Sequence, residues 1–316
     1  MSLERALELA ERGRGTTRPN PVVGAVVVRD GEVVGEGWHE RAGGPHAEVN
    51  ALQDAGERAR GATLYVSLEP CSHHGRTPPC VDAVVAAGIR RVVAGTADPN
   101  PEVDGQGLER LRQAGILVEL ASGELGWRAR VQNESYRTWI ARKRPFVTYK
   151  AAVTLDGKMA LPGSRWVSGE LSRTLVHELR ARSDAVAVGM GTVRADNPLL
   201  SARDVGATRQ PRCLAFGRGP LPEGSELELV DAPLEAALRV LADEGVQSLL
   251  LEGGPTLAAS FFRAELVDKL LLFVAPALAG SGPGAFGALP APVRLRRLTA
   301  RPVGEDVLLS AYVHEP

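Results

Sequence analysis

The chain has 316 residues, of which 37 are Lys or Arg and 38 are Asp or Glu, so its formal net charge is -1. An apolar fraction of 44% and a charged fraction of 24% are typical of a globular protein, and the length suggests two domains. The near-neutral charge argues against a broad nucleic-acid-binding surface, and the lack of a long unbroken apolar run argues against a membrane-spanning helix.

The first half of the sequence predicts a β-hairpin followed by alternating helices and strands. Two short strands, Val22–Val28 and Glu32–Gly37, flank an Arg-Asp-Gly turn. The alternation that follows is typical of an α/β layer with helices over a mainly parallel sheet. The predicted helices are Leu3–Arg12, His46–Ala55, Pro79–Ala87, Gly107–Ala114 and a segment at Gly126–Ala141, and the predicted strands are Thr63–Ser67, Arg91–Ala94 and Ile116–Leu120.

A basic stretch that ends in proline, Arg142–Pro145, is the candidate domain boundary, so we predict domains at residues 1–144 and 145–316. A second α/β series follows it. The predicted strands are Phe146–Ala152, Ala185–Val188, Ser248–Leu251 and Lys269–Val274, and the predicted helices are Leu171–Arg182, Pro233–Ala242 and Thr256–Arg263.

Two of the three cysteines lie in one stretch, "EPCSHHGRTPPC", which also contains two adjacent histidines. Spacing alone allows a Cys71–Cys80 disulfide, a closed structural zinc site completed by His73 and His74, or a catalytic zinc site with a third ligand from elsewhere. The N-terminus has no signal-peptide core, so we expect a cytoplasmic protein. Thiols stay reduced there, and this favours metal binding over a disulfide.

A third ligand is available in "PHAEVNAL", where His46 and Glu48 lie two residues apart at the start of a predicted helix. The pattern H-x-E followed by P-C and a further Cys is the zinc nucleobase-deaminase signature, in which the Glu is not a ligand but moves protons. Zinc lowers the pKa of its bound water and so creates hydroxide. Taken singly, His46 could pack at a helix start and Glu48 could complement the helix dipole. The combined motif favours catalysis.

The clearest chemical feature of the second half is "LLLEGGPTLAASFF", an apolar strand that runs through Glu-Gly-Gly-Pro into a helix. Gly253 and Gly254 allow a ligand to approach the backbone, and the free N–H groups of the helix start favour an anion. A plain tight turn is the alternative. The fingerprint G-x-G-x-x-G is absent, so the ordinary dinucleotide-binding fold is not indicated.

These motifs together resemble one family. Eight residues separate Cys71 from Cys80, where deaminases usually have two, and "NPVVGAVVV" and "DPNP" accompany them. The chain thereby resembles the bifunctional deaminase–reductases of riboflavin biosynthesis, and "YKAAVTLDGKMA", "GTVRADNPLLSAR" and "EGGPTL" resemble their reductase half. The resemblance implies an α/β protein, with an N-terminal cytidine-deaminase-like three-layer domain followed by a dihydrofolate-reductase-like domain.

The resemblance also implies two consecutive reactions. Zinc-dependent hydrolysis would replace the 2-amino group of 2,5-diamino-6-ribosylamino-4(3H)-pyrimidinone 5′-phosphate, and NADPH would then reduce the ribosyl group to ribityl. The partners expected are this phosphorylated pyrimidine and further copies of the chain as a homo-oligomer, with neither nucleic acid nor a membrane.

Residue by residue, the resemblance implies Glu48 as the proton shuttle and a zinc ligand set of His46, Cys71 and Cys80. The implied substrate contacts are Asn20, His39, His73 and Arg76 in the first half, and Ser164, Arg180, Leu200, Arg203 and Glu252 in the second. The implied cofactor contacts are Ala152, Trp166, Thr192, Asp196, Gly254, Pro255, Thr256, Leu257, Ala258, Ala259 and Ser260. A guanidinium suits a phosphate through bidentate hydrogen bonds, which agrees with the roles of Arg76, Arg180 and Arg203.

The span between Arg203 and the Gly-Gly element is shorter than the family pattern, which leaves open how the 2′-phosphate of NADPH is held. Arg209, Arg212 and Arg218 are the basic candidates, and Cys213 is expected to be a core residue. Two other functions are weighed against the family assignment. One is a nucleic-acid base deaminase with an accessory binding domain, and the other is a non-catalytic scaffold stabilised by zinc.

Overall fold

A computed structural model describes residues 2–72, 78–100 and 103–316. The chain forms two compact units, of which the first ends at Arg142 and the second is Lys143–Glu315. Within these described ranges, no helix is both long enough and apolar enough to cross a membrane.

The first unit contains a five-stranded sheet with the strand order β2-β1-β3-β4-β5. β1 pairs antiparallel with β2 and β3, whereas β3, β4 and β5 are parallel, so the sheet is mixed and its parallel part begins after the hairpin. The predicted hairpin is confirmed, because Asp30 and Gly31 both have positive φ, as a two-residue type I′ turn requires. The strands are β1 (Gly24–Arg29), β2 (Glu32–Trp38), β3 (Thr63–Val66), β4 (Arg91–Ala94) and β5 (Leu117–Leu120).

Helices cover both faces of this sheet, as expected for a three-layer domain. Buried side chains of α2, α3 and α4 form one core with the sheet, and α1 and α5 pack on the other face. α2 lies unusually close to β2, because a Cβ added at Gly37 would come within 2.4 Å of the Ala51 nitrogen. The helices are α1 (Ser2–Glu11), α2 (Ala47–Ala55), α3 (Cys80–Ala86), α4 (Gln106–Gln113), α5 (Gly123–Gln132) and α6 (Glu134–Arg142), with a 3-10 turn at Gly56–Ala59.

The helical segment predicted at Gly126–Ala141 is two helices, which are separated at Asn133. The buried Asn133 side chain accepts a hydrogen bond from the Val22 N–H and donates one to the Val22 carbonyl, each at 2.9 Å. Asn133 therefore pairs with the backbone before β1 in the manner of a strand, and its φ of -117° ends α5. The sequence shows no sign of this tertiary contact.

The second unit contains an eight-stranded sheet with the order β12-β13-β11-β6-β10-β7-β8-β9. The six strands from β11 to β9 in that order are parallel, and the β13–β11 and β12–β13 pairs are antiparallel. The strands are β6 (Phe146–Thr154), β7 (Ala185–Gly189), β8 (Arg212–Phe216), β9 (Glu228–Val230), β10 (Ser248–Leu251), β11 (Lys269–Ala275), β12 (Arg296–Val303) and β13 (Asp306–Tyr312).

Helices again cover both faces of the sheet. α9 and α10 pack on one face, while α7 and α8 pack on the other. The parallel strands all end at one border of the sheet, which we call the carboxyl edge, and ligands of open α/β sheets bind outside such an edge. The helices are α7 (Glu170–Arg182), α8 (Met190–Asp196), α9 (Leu234–Asp243) and α10 (Pro255–Arg263).

Candidate functional site

Three metal-binding side chains of the first unit lie together. The Nδ1 atom of His46 is 3.1 Å from Cys80 Sγ and 3.5 Å from Cys71 Sγ, and the ligand atoms of all three residues lie within 4.8 Å of one another. Zn–N and Zn–S bonds of about 2.0–2.3 Å in tetrahedral geometry place such donors roughly 3.5–4 Å apart. The three donors therefore fit one zinc ion.

Local structure holds each of these donors in place. His46 is the residue immediately before α2, and Cys80 is the first residue of α3. The Cys80 backbone N–H donates to Cys71 Sγ at 3.3 Å, and the Val81 N–H donates to the Cys71 carbonyl at 3.2 Å. The start of α3 thus binds the segment that carries Cys71, so two helix starts and one loop meet at the cluster.

The chemical state of the cluster also suits a metal. All three cysteines of the chain are free, so the disulfide alternative is wrong. A hydrogen bond from Cys80 and the contact with His46 lower the pKa of Cys71 well below that of an ordinary thiol, although burial opposes this. Thiolate is the form that binds metals. His73 and His74, which a closed four-ligand site would need, lie outside the described residues.

Glu48 lies in the first turn of α2 beside the cluster and is only 3% exposed. Burial raises the pKa of its carboxyl to about 7, and the nearby His46 opposes the rise. A carboxyl that titrates near neutrality suits general acid–base catalysis, because it takes up and releases protons at similar cost. Glu48 and His46 both line a cavity of about 350 Å³ in the first unit.

Asn20 and His39 line the same cavity and are hydrogen-bonded to each other. His39 Nδ1 is 3.0 Å from the Pro45 carbonyl, so this nitrogen carries the proton. Nε2 is then an acceptor for the Asn20 side-chain amide, which lies 3.2 Å away. Burial lowers the pKa of His39 and so favours this neutral tautomer. The pair thus presents a fixed polar edge to the cavity.

Sequence reasoning gave no role to Asp98 and Tyr136, which also line the cavity. The Tyr136 hydroxyl lies 3.4 Å from the Asp98 carboxylate, and burial raises the pKa of Asp98 to about 6. The motif "DPNP" was a signal at the position of Asp98, but it indicated no chemistry. Tyr136 belongs to a helix that is remote in sequence, and no motif marked it.

A buried carboxylate at Glu69 fixes the segment that carries Asp98. Its two oxygens accept four backbone N–H groups at 2.9–3.2 Å, those of Asp98, Gly105, Gly107 and Leu108. The remaining residues predicted to contact the deaminase substrate, His73 and Arg76, lie outside the described residues.

In the second unit, the predicted cofactor residues converge on the carboxyl edge. α8 begins directly after β7, and α10 begins three residues after β10. A Cβ added at Gly254 would lie 3.9 Å from the Thr192 hydroxyl, and one added at Gly253 would lie 2.9 Å from Leu257. The two helix starts are therefore adjacent. The N–H groups of a first helical turn have no acceptor within the helix and favour anions.

Only the beginning of the predicted Gly254–Ser260 stretch is suited to ligand contact. Pro255 is the first helical residue and has no N–H, whereas Thr256 follows it in the first turn. The side chains of Ala258 and Ala259 are buried, and the Ser260 hydroxyl donates to the Thr256 carbonyl within the helix.

A buried charge network lies at the end of β10. Glu252 accepts hydrogen bonds from Lys150 Nζ at 3.0 Å and from Arg180 Nε and Nη2 at 2.6 and 3.0 Å. Burial alone would raise the pKa of Glu252, but Lys150 and Arg180 outweigh burial and hold it at about 2. The Glu252 carboxylate thus binds two cations, and the Arg180 Nη1 group donates to the Ser201 carbonyl at 3.3 Å.

The other residues predicted to bind in this unit lie at several places around the carboxyl edge. Ala152 is part of β6, and Asp196 is an exposed residue at the end of α8. Ser164 and Trp166 form a local loop in which the Ser164 hydroxyl donates to the Trp166 carbonyl at 2.7 Å. The side chain of Leu200 is buried in the core, whereas Arg203 is exposed.

The three candidate arginines for a 2′-phosphate differ in their partners. Arg212 pairs with Glu228 and Glu244, each at 2.6 Å. Arg209 pairs with Asp184 at the start of β7, which is the opposite border of the sheet from the carboxyl edge.

Arg218 instead follows the end of β8 and is 90% exposed, with one contact at 3.3 Å to Asp231. The adjacent Arg194 donates to the Arg218 carbonyl at 2.6 Å. The position and exposure of Arg218 leave it accessible to a ligand.

Two family profiles match the chain. Residues 2–96 match the cytidine and deoxycytidylate deaminase zinc-binding region, and residues 145–309 match the RibD C-terminal domain. The first match covers the candidate zinc cluster, and the second covers the Gly-Gly element.

Named relatives match over almost the whole chain. The riboflavin biosynthesis protein RibD of Aquifex aeolicus is 40% identical, with 97% of this chain and 96% of the relative covered, and that of Escherichia coli is 39% identical, with 97% of each covered. Among solved structures, Acinetobacter baumannii RibD superposes with a TM-score of 0.86 at 35% identity, covering 98% of this chain and 97% of that one.

A Thermotoga maritima structure superposes with a TM-score of 0.83 at 36% identity and the same coverage. It is named a diaminohydroxyphosphoribosylaminopyrimidine deaminase and 5-amino-6-(5-phosphoribosylamino)uracil reductase.

Proposed function

The chain belongs to the RibD family of bifunctional deaminase–reductases of riboflavin biosynthesis, and we propose that its two units act in turn on the two compounds named for the Thermotoga relative. The first unit would hydrolyse the 2-amino group of the diaminopyrimidine phosphate. The second would reduce the ribosyl group of the resulting uracil with NADPH. The observation that carries the first half is the buried Glu48 carboxyl beside three converging metal donors, of which His46 and Cys71 line the same cavity as Glu48.

We propose His46, Cys71 and Cys80 as the zinc ligands and Glu48 as the proton carrier. When bound, zinc supplies a Lewis acid that makes a water molecule a nucleophile at neutral pH. Glu48 accepts a proton from that water and delivers protons to the ring nitrogen and to the departing amine. Water is consumed and ammonia leaves, and the ring gains the oxygen. The Glu48 pKa of about 7 supports both proton transfers.

The cavity walls supply the groups that would orient the pyrimidine. The neutral His39–Asn20 pair offers a fixed polar edge, and Asp98 adds an acceptor at the same cavity. These groups are held by hydrogen bonds before a substrate arrives, which lowers the cost of ordering them on binding. We propose that the side chains of His73 and Arg76 bind the 5′-phosphate of the substrate.

For the reductase, we propose that NADPH binds outside the carboxyl edge, with an anionic group at the start of α10. When bound, NADPH would supply a hydride to C1′ of the ribosyl group, the C1′–O4′ bond would break, and the released O4′ would need a proton. Lys150 is the candidate donor, because Glu252 holds its ammonium group near the carboxyl edge. Arg180 and Arg203 are proposed to bind the 5′-phosphate, and Ser164 and Leu200 to shape the substrate side of the site.

Arg218 is the proposed partner of the 2′-phosphate of NADPH. It follows β8 at the carboxyl edge, whereas Arg209 lies at the opposite border and Arg212 is held by two carboxylates. A guanidinium with a planar fork of donors suits a phosphate group. The cytoplasmic location and the homo-oligomeric state remain predictions.

A direct test supplies purified chain with the diaminopyrimidine phosphate, with and without NADPH, and follows ammonia and NADPH absorbance. We expect ammonia release without NADPH, and NADPH oxidation only after deamination. Preincubation with a zinc chelator is expected to stop ammonia release and to leave reduction of the deaminated compound intact. NADPH oxidation with no ammonia release, or ammonia release that survives complete zinc removal, would contradict the proposal.

A further inference from the structure

The loop Leu200–Arg203, called here the 200–203 loop, is bound to α7 by its backbone. Arg180 Nη1 donates to the Ser201 carbonyl at 3.3 Å. His177, which lies one turn earlier on α7, places its Nδ1 atom 3.2 Å from the Ser201 carbonyl and 3.2 Å from the Arg203 backbone nitrogen. One helix thus holds the loop through two side chains that point the same way.

A second segment holds the middle of the loop. The Gln210 side chain accepts a hydrogen bond from the Ala202 N–H at 2.8 Å and donates one to the Ala202 carbonyl at 2.9 Å. Leu200 begins the loop with a positive φ of 57° and a buried side chain. A branched residue keeps such a backbone angle only when its surroundings support it. The backbone conformation of the 200–203 loop is therefore fixed by these contacts.

The two contacts of His177 Nδ1 need opposite protonation states. The Arg203 N–H can donate only to a bare Nδ1, whereas the Ser201 carbonyl can accept only from a protonated one. With the proton on Nε2, Nδ1 accepts from Arg203, and the Ser201 carbonyl is still satisfied by Arg180. The neutral tautomer with its proton on Nε2 therefore leaves both backbone groups paired, whereas a proton on Nδ1 would leave the Arg203 N–H without this acceptor. Protonated His177 leaves the Arg203 N–H without this acceptor.

The charges around His177 favour the neutral state. Arg180 faces it from the same helix, Arg203 from the 200–203 loop and Glu252 from the end of β10. Burial and the two arginines together lower the pKa of His177, while the Ser201 carbonyl and Glu252 oppose the shift. The lowered pKa favours an uncharged imidazole at neutral pH, and only an uncharged imidazole can offer Nδ1 as an acceptor.

We propose that His177 is a positioning residue of the reductase, whose Nδ1 lone pair fixes the backbone of Arg203 so that the exposed guanidinium meets the phosphate of the pyrimidine substrate. The proposal rests on the role given above to Arg203. A hydrogen bond of this kind contributes about 1 kcal/mol, which corresponds to a change of roughly 5-fold in binding.

Three variants of the full-length enzyme test the proposal through the reductase KM for the deaminated pyrimidine phosphate. His177→Leu removes the acceptor and is expected to raise this KM about 5-fold, with kcat and the KM for NADPH unchanged. His177→Asn puts a carbonyl oxygen where Nδ1 lies and is expected to restore the wild-type KM. Arg203→Ala is expected to raise the KM further, since it removes the phosphate contact itself.

The variants separate the possible failures. If Arg203→Ala raises the KM but His177→Leu does not, the positioning role is wrong and the proposed function of Arg203 stands. If Arg203→Ala has no effect, the phosphate assignment fails and the positioning role fails with it. A rise in KM for His177→Asn equal to that for His177→Leu would also overturn the proposal, because bulk or packing would then explain the effect.

The pH dependence gives a second readout that does not need the leucine variant to fold. Below the pKa of His177, the wild-type KM for the pyrimidine is expected to rise more steeply than the KM of His177→Asn. The phosphate titrates near pH 6 in both proteins, so it cancels in the comparison. Superimposable pH profiles of the two proteins would overturn the role of the neutral imidazole.

Discussion

The two units place their functional groups in different ways. In the first unit the candidate functional groups are side chains at a cavity, with Glu48 buried and the three candidate metal donors within 4.8 Å of one another. In the second unit the proposed cofactor site lies at an open sheet edge and uses helix starts and backbone N–H groups, supported beneath by the Glu252 network. The proposed deaminase site therefore depends on the identity of particular side chains. The proposed cofactor site depends more on the backbone N–H groups of the helices that follow the strands.

The largest effect should come from the deaminase cavity. Glu48→Gln keeps the shape of the side chain but cannot carry protons, so ammonia release should fall about 10²- to 10⁴-fold. Zinc content should stay at one ion per chain, because Glu48 is not a proposed ligand. Ammonia release and metal analysis measure the two quantities. Loss of zinc from Glu48→Gln, or retained turnover, would contradict the assigned role.

At the reductase edge, Glu252→Gln leaves the buried Lys150 and Arg180 without their shared anion. We expect a loss of about 3 kcal/mol of stability in the second unit and loss of NADPH oxidation. Hydrogen exchange in α7 and the reductase assay would measure these effects. Glu244→Gln is the matched control, since Glu244 is half exposed in its pair with Arg212. Equal losses of stability and of NADPH oxidation in the two variants would contradict the role given to Glu252.

The same network predicts a pH dependence. The Glu252 pKa of about 2 lies below its unfolded value, so the stabilisation is fully present above pH 4.5 and is lost as pH falls through 2. The shift corresponds to about 3 kcal/mol. Hydrogen exchange in α7 at pH 5 and at pH 3 measures the loss, and the Glu252→Gln variant should lack this component. A variant with the same acid sensitivity as the wild type would contradict the assignment.

A smaller effect is expected at Arg218. Arg218→Ala should raise the KM for NADPH roughly 10-fold, as the loss of one charged hydrogen-bonding partner implies, and should leave the KM for NADH unchanged. Arg212→Ala is the control, because both of its carboxylate partners hold it away from a ligand. Unchanged preference for NADPH in Arg218→Ala would exclude Arg218 as the phosphate partner without affecting the NADPH assignment.

The last predicted change is a gain in stability at Asp98. Burial raises its pKa to about 6, so the favourable protonated state is fully present below the unfolded pKa and is lost as pH rises through 6. Asp98→Asn should therefore stabilise the first unit by about 2 kcal/mol at pH 8 and much less at pH 4, while it weakens substrate binding. Thermal unfolding at both pH values measures this. A gain that is equal at both pH values would contradict the role of charge.

The sequence predicted that the three candidate zinc ligands would converge, because a zinc site requires particular side chains at particular spacings. His46, Cys71 and Cys80 meet in the structure although 34 positions separate the first from the last. Residues that act through tertiary contacts left no such pattern. Tyr136 reaches the cavity from a helix near the end of the unit, and Glu69 acts by collecting backbone N–H groups from a distant loop.

The fold of the second unit was predicted less completely. β12 was missed because its residues are almost all exposed, so it has no alternation of buried and exposed side chains. α8 has only seven residues, which is too short for a helical period to appear. The stretch in α10 shows a further limit of motif matching. The motif marked the whole stretch as cofactor-binding, although the side chains of Ala258 and Ala259 are buried.

The separation of the two sites is the central claim, and complementation between two damaged chains tests it most directly. Glu48→Gln should reduce the deaminated compound but release no ammonia, and Gly254→Val, which obstructs the backbone at the start of α10, should release ammonia but not oxidise NADPH. Mixed with the diaminopyrimidine phosphate and NADPH, the two variants should together form the ribityl product. No product from the mixture, with both chains folded, would contradict the assignment of one reaction to each unit.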